Sequence, residues 1–277
     1  MSVVARPQAP FGRRIVHVTD RRVAGPYVAL TARDRGGPAP LAGQFYMLMT
    51  PTTWGGGADG RPYLPRALSF ARAVSTADGI ALDFLFEGVG PGTDRLMEVG
   101  VGDELLIAGP FGNGFALDGE RWPVLVAGGI GLAPIVALED ELRELDGVRA
   151  TTFVGMRSID HASAAGLYEL EHELATEDGS AGHQGYVTDL VKAHLEEHAE
   201  STVYACGPAA MLEAVRVLCA ELGVPSQLAM ESGMACGFGA CYGCVVPTKD
   251  GFTRLCVDGP VLDGSQLDTA LISGAPH

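Results

Sequence analysis

The sequence predicts a multidomain chain of β plus α/β class: an antiparallel β-barrel or sandwich, a parallel-sheet α/β domain, and a small cysteine-rich C-terminal module. Three observations predict it. Near Trp122 the pattern changes from short alternating strands to strand and helix in alternation, glycine stands at 38 of 277 residues, well above ordinary usage, and four of the six cysteines fall in the 21 residues from Cys236 to Cys256. With 47% hydrophobic residues the chain can bury more than one core. The boundaries expected from these changes are 1–119, 120–227 and 228–277.

In chain order, the first part holds six runs with period-two alternation: RRIVHVTD, YVALTARD, QFYMLMT, RALSFARAV, IALDFLFEGVG and DELLIAG. The turn-rich piece Trp54 to Pro65 reads as a surface loop between two of them, and DRLMEV after Thr93 as a short helix. From Trp122 follow a buried strand (PVLVAGG), a helix (APIVALEDELREL), a strand (RATTFVGM) and a helix (AAGLYELEHELAT). A strand (STVYACG) and a helix (AAMLEAVRVLCAELG) complete the series. Strands alternating with helices argue for a parallel sheet covered on both faces.

Charge narrows the partners. Lys plus Arg total 19 against 34 Asp plus Glu, a formal net charge of −15, the wrong sign for nucleic acid or an anionic membrane surface. The uncharged stretch Trp122 to Leu138 is 17 residues and is broken by three glycines and two prolines, too short to span a bilayer. The opening MSVVARPQAPFGRRIVHV has no signal-peptide pattern. The expectation is a cytoplasmic protein, in which clustered cysteines read as metal ligands before disulfides.

Those cysteines, Cys236, Cys241, Cys244 and Cys256, follow C-x4-C-x2-C-x11-C. The C-x4-C-x2-C core is the plant-type two-iron arrangement, closed by a fourth, distant thiol. Gly237, Gly239 and Gly243 lie where small residues let amides turn toward sulfur. Structural zinc is the alternative, although zinc ribbons more often carry two C-x2-C pairs. Cys219, on the apolar face of its helix, reads as core.

Two glycine-rich turns can hold phosphates. GGIG, from Gly128 to Gly131, joins a buried strand to a helix whose first amides and dipole suit a pyrophosphate; it is not the G-x-G-x-x-G fingerprint and reads equally as a plain strand-to-helix turn. Gly90, Pro91, Gly92 and Thr93 form a second turn, equally readable as a plain capped helix start. Arg66, in PRALSFA, can pair with a phosphate or stand as a solvated strand-end charge.

Taken in order, R-x-x-S (Arg66 to Ser69), G-x-G-T (Gly90 to Thr93), GPFGNGF (Gly109 to Phe115), GGIGLAP (Gly128 to Pro134), CGP (Cys206 to Pro208) and the tail MACGFGACYGC resemble the electron-transfer subunits of NAD-dependent (class 1B) dihydroorotate dehydrogenases. These belong to the ferredoxin-NADP reductase superfamily, and the resemblance runs from about Arg13 to Leu262. It implies an FAD-binding β-barrel, an NAD-binding α/β domain and a [2Fe-2S] domain.

Residue by residue, it implies that Arg66, Ala67, Leu68 and Ser69 contact the flavin and its phosphate, with Leu85, Phe86, Glu87, Gly92 and Thr93 completing the FAD site. It gives Gly128, Gly129 and Gly131 to the NAD pyrophosphate, Cys206 and Gly207 to the nicotinamide, and the four cysteines to the cluster. The stretch EDGSAGHQGYVTDLV, with Asp178, Gly179 and Ser180, is similar to its pyridine-nucleotide segment. The loop before Arg66 is long for the family, and Phe86 stands where Tyr is common.

Nicotinamide exchanges a hydride, a cluster single electrons, and a flavin either. The resemblance therefore implies an electron conduit to NAD+ in pyrimidine (UMP) biosynthesis. Its partner would be an FMN-containing dihydroorotate dehydrogenase catalytic subunit, two of each chain forming a heterotetramer. No side chain is required as a catalytic acid or base. A stand-alone flavin/iron-sulfur reductase serving another redox partner and a nucleotide-binding regulatory protein with structural zinc are the competing readings. Arg157 and Ser158 suit a 2′-phosphate and Asp160 opposes one, so NAD is favoured by the resemblance alone.

Overall fold

The structure is a computed structural model and describes residues 12–56, 61–117, 119, 121–145 and 148–272. The segment 1–11, part of the stretch read above for a leader, lies outside them.

Strands β1 (Arg14–Ala24), β2 (Tyr27–Asp34), β3 (Phe45–Met49), β4 (Arg66–Ser69), β5 (Arg72–Thr76), β6 (Gly79–Glu87) and β7 (Glu104–Phe111) form one antiparallel sheet, ordered β4-β3-β7-β1-β2-β6-β5. The run RALSFARAV, expected as one strand, is two. Phe70 and Ala71 are both buried, which breaks the period-two alternation, and Ala71 N–H turns to the Asp83 carbonyl at 2.7 Å. β4 then pairs with β3 and β5 with β6. Because β4 and β5 are the sheet's two ends, this two-residue corner draws its edges together into a barrel. Inside, Tyr46 meets Phe84 edge-on at 5.5 Å and Phe70 at 6.5 Å, a geometry aromatic rings prefer. Trp54, expected in a surface loop, is buried and donates its indole N–H to the Leu64 carbonyl at 2.9 Å. Helix α1 (Pro91–Met97) follows β6 and buries Leu96.

The second sheet is built from β8 (Trp122–Gly128), β9 (Thr151–Met156), β10 (Glu173–Thr176), β11 (His183–Gln184), β12 (Ser201–Cys206) and β13 (Ser226–Ala229), all parallel, in the order β11-β10-β9-β8-β12-β13. Helices α2 (Leu132–Arg143), α3 (Ile159–Gly166), α4 (Val187–Glu197) and α5 (Ala209–Leu222) cover it. β8 and β12 are buried almost throughout, as strands covered on both faces must be.

The helix expected over AAGLYELEHELAT does not form. α3 ends at Gly166, Glu169 sits at a φ of 54°, and Glu173 to Thr176 pair in parallel register with Phe153 to Met156. Ala175 and Thr176 are fully buried there, so sheet contacts override the helix-forming composition.

A hairpin of β14 (Val245–Thr248) and β15 (Gly251–Arg254) follows, and β16 (Val261–Asp263) then returns antiparallel to β13 as the edge of the second sheet. β13 spans the expected 227/228 boundary, so the third module shares a sheet with the second. The barrel is tied to the α/β layer by polar contacts. Arg22 pairs with Asp83 and donates to the Leu167 carbonyl at 3.1 Å, Arg72 pairs with Asp140 at 2.7 Å, and Ala42 N–H reaches Glu141 at 2.6 Å. These contacts hold the two sheets with a cleft between them.

Candidate functional site

The cleft is a cavity of about 700 Å3 between the barrel and the carboxyl edge of the parallel sheet, where ligands of open α/β sheets bind. From the barrel come Arg66, Ala67, Leu68 and Ser69 on β4, Leu85, Phe86 and Glu87 at the end of β6, and Thr93 on α1. From the sheet come Gly128 and Gly129 where β8 ends, and Cys206 and Gly207 where β12 ends. Topology explains the meeting: β4 is a barrel edge strand, while β8 and β12 are neighbours at the sheet centre.

Gly92 and Gly131 stand one layer behind. A Cβ on Gly92 would lie 2.1 Å from Arg66 Nε, so the glycine makes room for the guanidinium, which donates to the Leu64 carbonyl at 2.8 Å. A Cβ on Gly131 would lie 2.2 Å from the Cys206 carbonyl oxygen, so that glycine lets α2 start against β12. Gly129, by contrast, would meet only the Tyr27 hydroxyl, at 3.9 Å. The backbone before α2 is therefore open to a pyrophosphate. The Thr93 hydroxyl is engaged locally, donating to the Gly90 carbonyl at 3.1 Å and accepting from Val89 N–H at 2.9 Å.

Two acidic groups are not singled out by the sequence reading, although Glu177 opens the stretch likened to the pyridine-nucleotide segment. Glu231, just past β13, lines the cavity, and burial raises its carboxyl from 4.5 to about 7. The residue as a whole is half-buried. The neighbouring Ser232 hydroxyl is buried without a partner, an unmet polar atom that a bound cofactor can satisfy. Burial, reinforced by Glu231, pushes the Cys206 thiol up and keeps it protonated. Glu177, at the end of β10, lines the far end with Arg157. Both glutamates lie just past the carboxyl ends of parallel strands, and that position is the signal that could have found them. Asp178 and Ser180, expected near the nucleotide, bind each other at 2.9 and 2.6 Å.

The cysteine loop lies against the outer side of the same barrel edge. Gly237 and Gly239 have φ of 79° and 89°, conformations that suit glycine, and a Cβ on Gly237 would lie 2.6 Å from Met47 Cγ on β3. Met47 pairs with Ala67 of the cavity wall, so one strand pair separates loop and cleft.

The thiols fall into two pairs. Cys244 and Cys256 are buried with sulfurs 3.2 Å apart, and the free Cys241 thiol donates a hydrogen bond to the Cys236 sulfur. Burial raises the Cys236 thiol, but the amides of Phe238, Cys241 and Ala240 outweigh it and lower the group to about 6. Gly243 N–H donates to Cys241 Sγ at 3.4 Å, and Cys256 N–H to Cys244 Sγ at 3.4 Å. Among the described residues no three Cys, His, Asp or Glu side chains converge on one point that could hold a lone metal ion. Two thiol pairs wrapped in amide donors fit a two-iron cluster, each pair serving one iron, better than a mononuclear zinc.

Residues 231–268 match the family model for the iron-sulfur cluster binding domain of dihydroorotate dehydrogenase B, and residues 125–217 match the oxidoreductase NAD-binding domain. The chain is 39% identical over 227 residues to the dihydroorotate dehydrogenase B (NAD(+)) electron transfer subunit of Clostridium acetobutylicum, covering 81% of this chain and 85% of that one. The chain belongs to the dihydroorotate dehydrogenase B electron transfer subunit family. The corresponding subunit of Clostridium perfringens is 37% identical, over 82% of this chain and 87% of its own.

Among solved structures, an NADH-dependent reduced ferredoxin-NADP oxidoreductase superposes with a TM-score of 0.78 at 24% identity, over 94% of this chain and 92% of that one. The ferredoxin reductase of carbazole 1,9a-dioxygenase gives 0.65 at 24% identity, over 79% and 68%. These place the family member in the ferredoxin-reductase fold. No described helix is long and apolar enough to cross a membrane.

Proposed function

We propose that this chain conveys electrons from a dihydroorotate dehydrogenase catalytic subunit to NAD+ in pyrimidine biosynthesis, with a [2Fe-2S] cluster and FAD held on the way. The partner would carry FMN, the assembly would be two of each chain, and the compartment the cytoplasm. The observation that carries the reading is the single barrel edge: β4 lines the cleft with Arg66 to Ser69, and its pairing partner β3 seats the four-cysteine loop through Met47. When bound, a flavin exchanges both single electrons and hydride, linking a one-electron cluster to a two-electron nicotinamide.

The residues supply position. Cys236, Cys241, Cys244 and Cys256 would hold the iron. Arg66, Ala67, Leu68, Ser69, Leu85, Phe86 and Glu87 would hold FAD, with Thr93 shaping the turn and Gly92 leaving room for Arg66. Gly128, Gly129, Cys206 and Gly207 would receive NAD, with Gly131 setting the start of α2.

The test is anaerobic purification with visible absorption and EPR before and after NADH. Flavin bands and a reducible two-iron signal are expected; a colourless, zinc-loaded protein overturns the reading. The variant Cys241→Ser should lose electron transfer with the catalytic subunit while retaining NADH oxidation by an artificial two-electron acceptor.

A further inference from the structure

One end of the cleft carries two opposite charges that the residues assigned above leave out, and strand order identifies that end. The GGIG turn follows β8 at mid-sheet. To one side β12 ends at Cys206; to the other, β9 ends before Arg157 and β10 before Glu177. A dinucleotide with its pyrophosphate on the β8 turn and its nicotinamide at Cys206 must lay its adenine ribose across the ends of β9 and β10. Arg157 and Glu177 both line the cavity there.

The backbone under these two residues is fixed. Glu177 N–H donates to the Met156 carbonyl at 3.0 Å, Asp178 N–H to the Arg157 carbonyl at 3.2 Å, and Ile159 N–H to Ser180 Oγ at 2.7 Å. Asp178 is occupied by Ser180, and Asp160, the acid expected to oppose a 2′-phosphate, sets its backbone carbonyl against Gly25 of the β1–β2 turn and does not line the cavity. Asp178 does not line it either, so Glu177 is the carboxylate that the strand ends offer here; Glu87 faces the same region from the barrel, where it and Arg157 both act on the Tyr27 hydroxyl.

We infer that Glu177 selects NAD(H) over NADP(H): its carboxylate accepts a hydrogen bond from a free ribose 2′-hydroxyl and repels a 2′-phosphate. Arg157 is a latent phosphate site that Glu177 overrules. An acid at the end of an adjacent strand is the usual recogniser of a free 2′-hydroxyl, and a nearby Arg that of its phosphate. This rests on the reading of the chain as an NAD-linked reductase.

The experiment is anaerobic reduction of the bound flavin of the purified holoprotein by NADH and by NADPH, comparing kcat/KM in wild type, Glu177→Gln and the double variant Glu177→Gln/Arg157→Ala. Wild type should favour NADH by about 100-fold or more. Glu177→Gln should narrow that ratio at least tenfold, NADPH gaining and NADH losing a few-fold, and the added Arg157→Ala should cancel the NADPH gain. Equal flavin content and visible circular dichroism establish that the variants are folded. If neither dinucleotide reduces the wild-type flavin, the functional reading itself fails. If NADH works and the ratio is unchanged in Glu177→Gln, the assignment of Glu177 is wrong while the functional reading stands.

Discussion

Replacing Gly92 by alanine should separate stability from cofactor affinity. In the structure the added Cβ would lie 2.1, 2.4 and 2.6 Å from Arg66 Nε, Cζ and Nη2. Van der Waals contact between heavy atoms begins near 3.5 Å, so the guanidinium must retreat by about 1 Å or more. The residue is in helix α1 with no positive φ, and alanine there favours the folded helix by about 0.5–1 kcal/mol. Displacing an arginine from a phosphate forfeits a charge-assisted hydrogen bond of about 1.5–3 kcal/mol, which is roughly a 10- to 150-fold rise in Kd. Fluorescence titration of the flavin-free protein with FAD, beside its thermal unfolding, measures both quantities. The expected pattern is weaker FAD binding with an unchanged or higher unfolding temperature. In an Arg66→Ala background, Gly92→Ala should add little further loss, since both act on one group. Wild-type affinity in Gly92→Ala, or full additivity with Arg66→Ala, would refute the claim that Gly92 acts by making room for Arg66.

Three more outcomes are expected. Glu231 is raised from 4.5 to about 7 by burial, so ionising it opposes folding; the cost begins above about pH 4.5 and is complete once pH exceeds about 7, at most about 3 kcal/mol. Glu231→Gln should therefore raise the unfolding temperature at pH 8 and leave it unchanged at pH 4.5. Glu213 is lowered from 4.5 to about 2, chiefly by Arg216 and with help from Ala270 N–H, so its contribution is present above about pH 4.5 and lost as pH falls through about 2. Solvent screening limits it to about 1 kcal/mol, and chemical unfolding of Glu213→Gln should show that loss at pH 7 and none at pH 2. Gly131→Ala drives a Cβ to within 2.2 Å of the Cys206 carbonyl oxygen, and backbone cannot yield as a side chain does; the α2 start should shift, with NAD+ affinity falling at least tenfold by equilibrium titration.

What the sequence disclosed was whatever is encoded locally. The GGIG turn, helix α5 and the cysteine spacing are signatures a few residues wide, and each lies where its residue types require. What stayed hidden depends on distant partners. Nothing within AAGLYELEHELAT announces that Glu173 to Thr176 will pair with Phe153 to Met156. Nothing local splits RALSFARAV at Phe70, because the split is the closure of a barrel. Glu231 and Glu177 look like ordinary acids until strand order places them at the carboxyl edge of one sheet. Asp178 and Asp160 are the more visible acids, yet Asp178 is taken up by Ser180 and neither lines the cavity.

The return of β16 to β13 has a consequence for how the protein is made. Along the chain the entire cysteine loop comes between these two strands, so a ribosome has finished the six parallel strands before it supplies the seventh. Until then the outer rim of β13 offers bare amides and carbonyls to any extended chain nearby, the usual starting point for aggregation. The segment that covers this rim is the one that follows Cys256, so sheet protection and the last thiol arrive together. A nascent chain stalled before Val261 would be exposed at the same edge, and the finished hydrogen-bonded strand forms only after the whole cysteine loop has been synthesised.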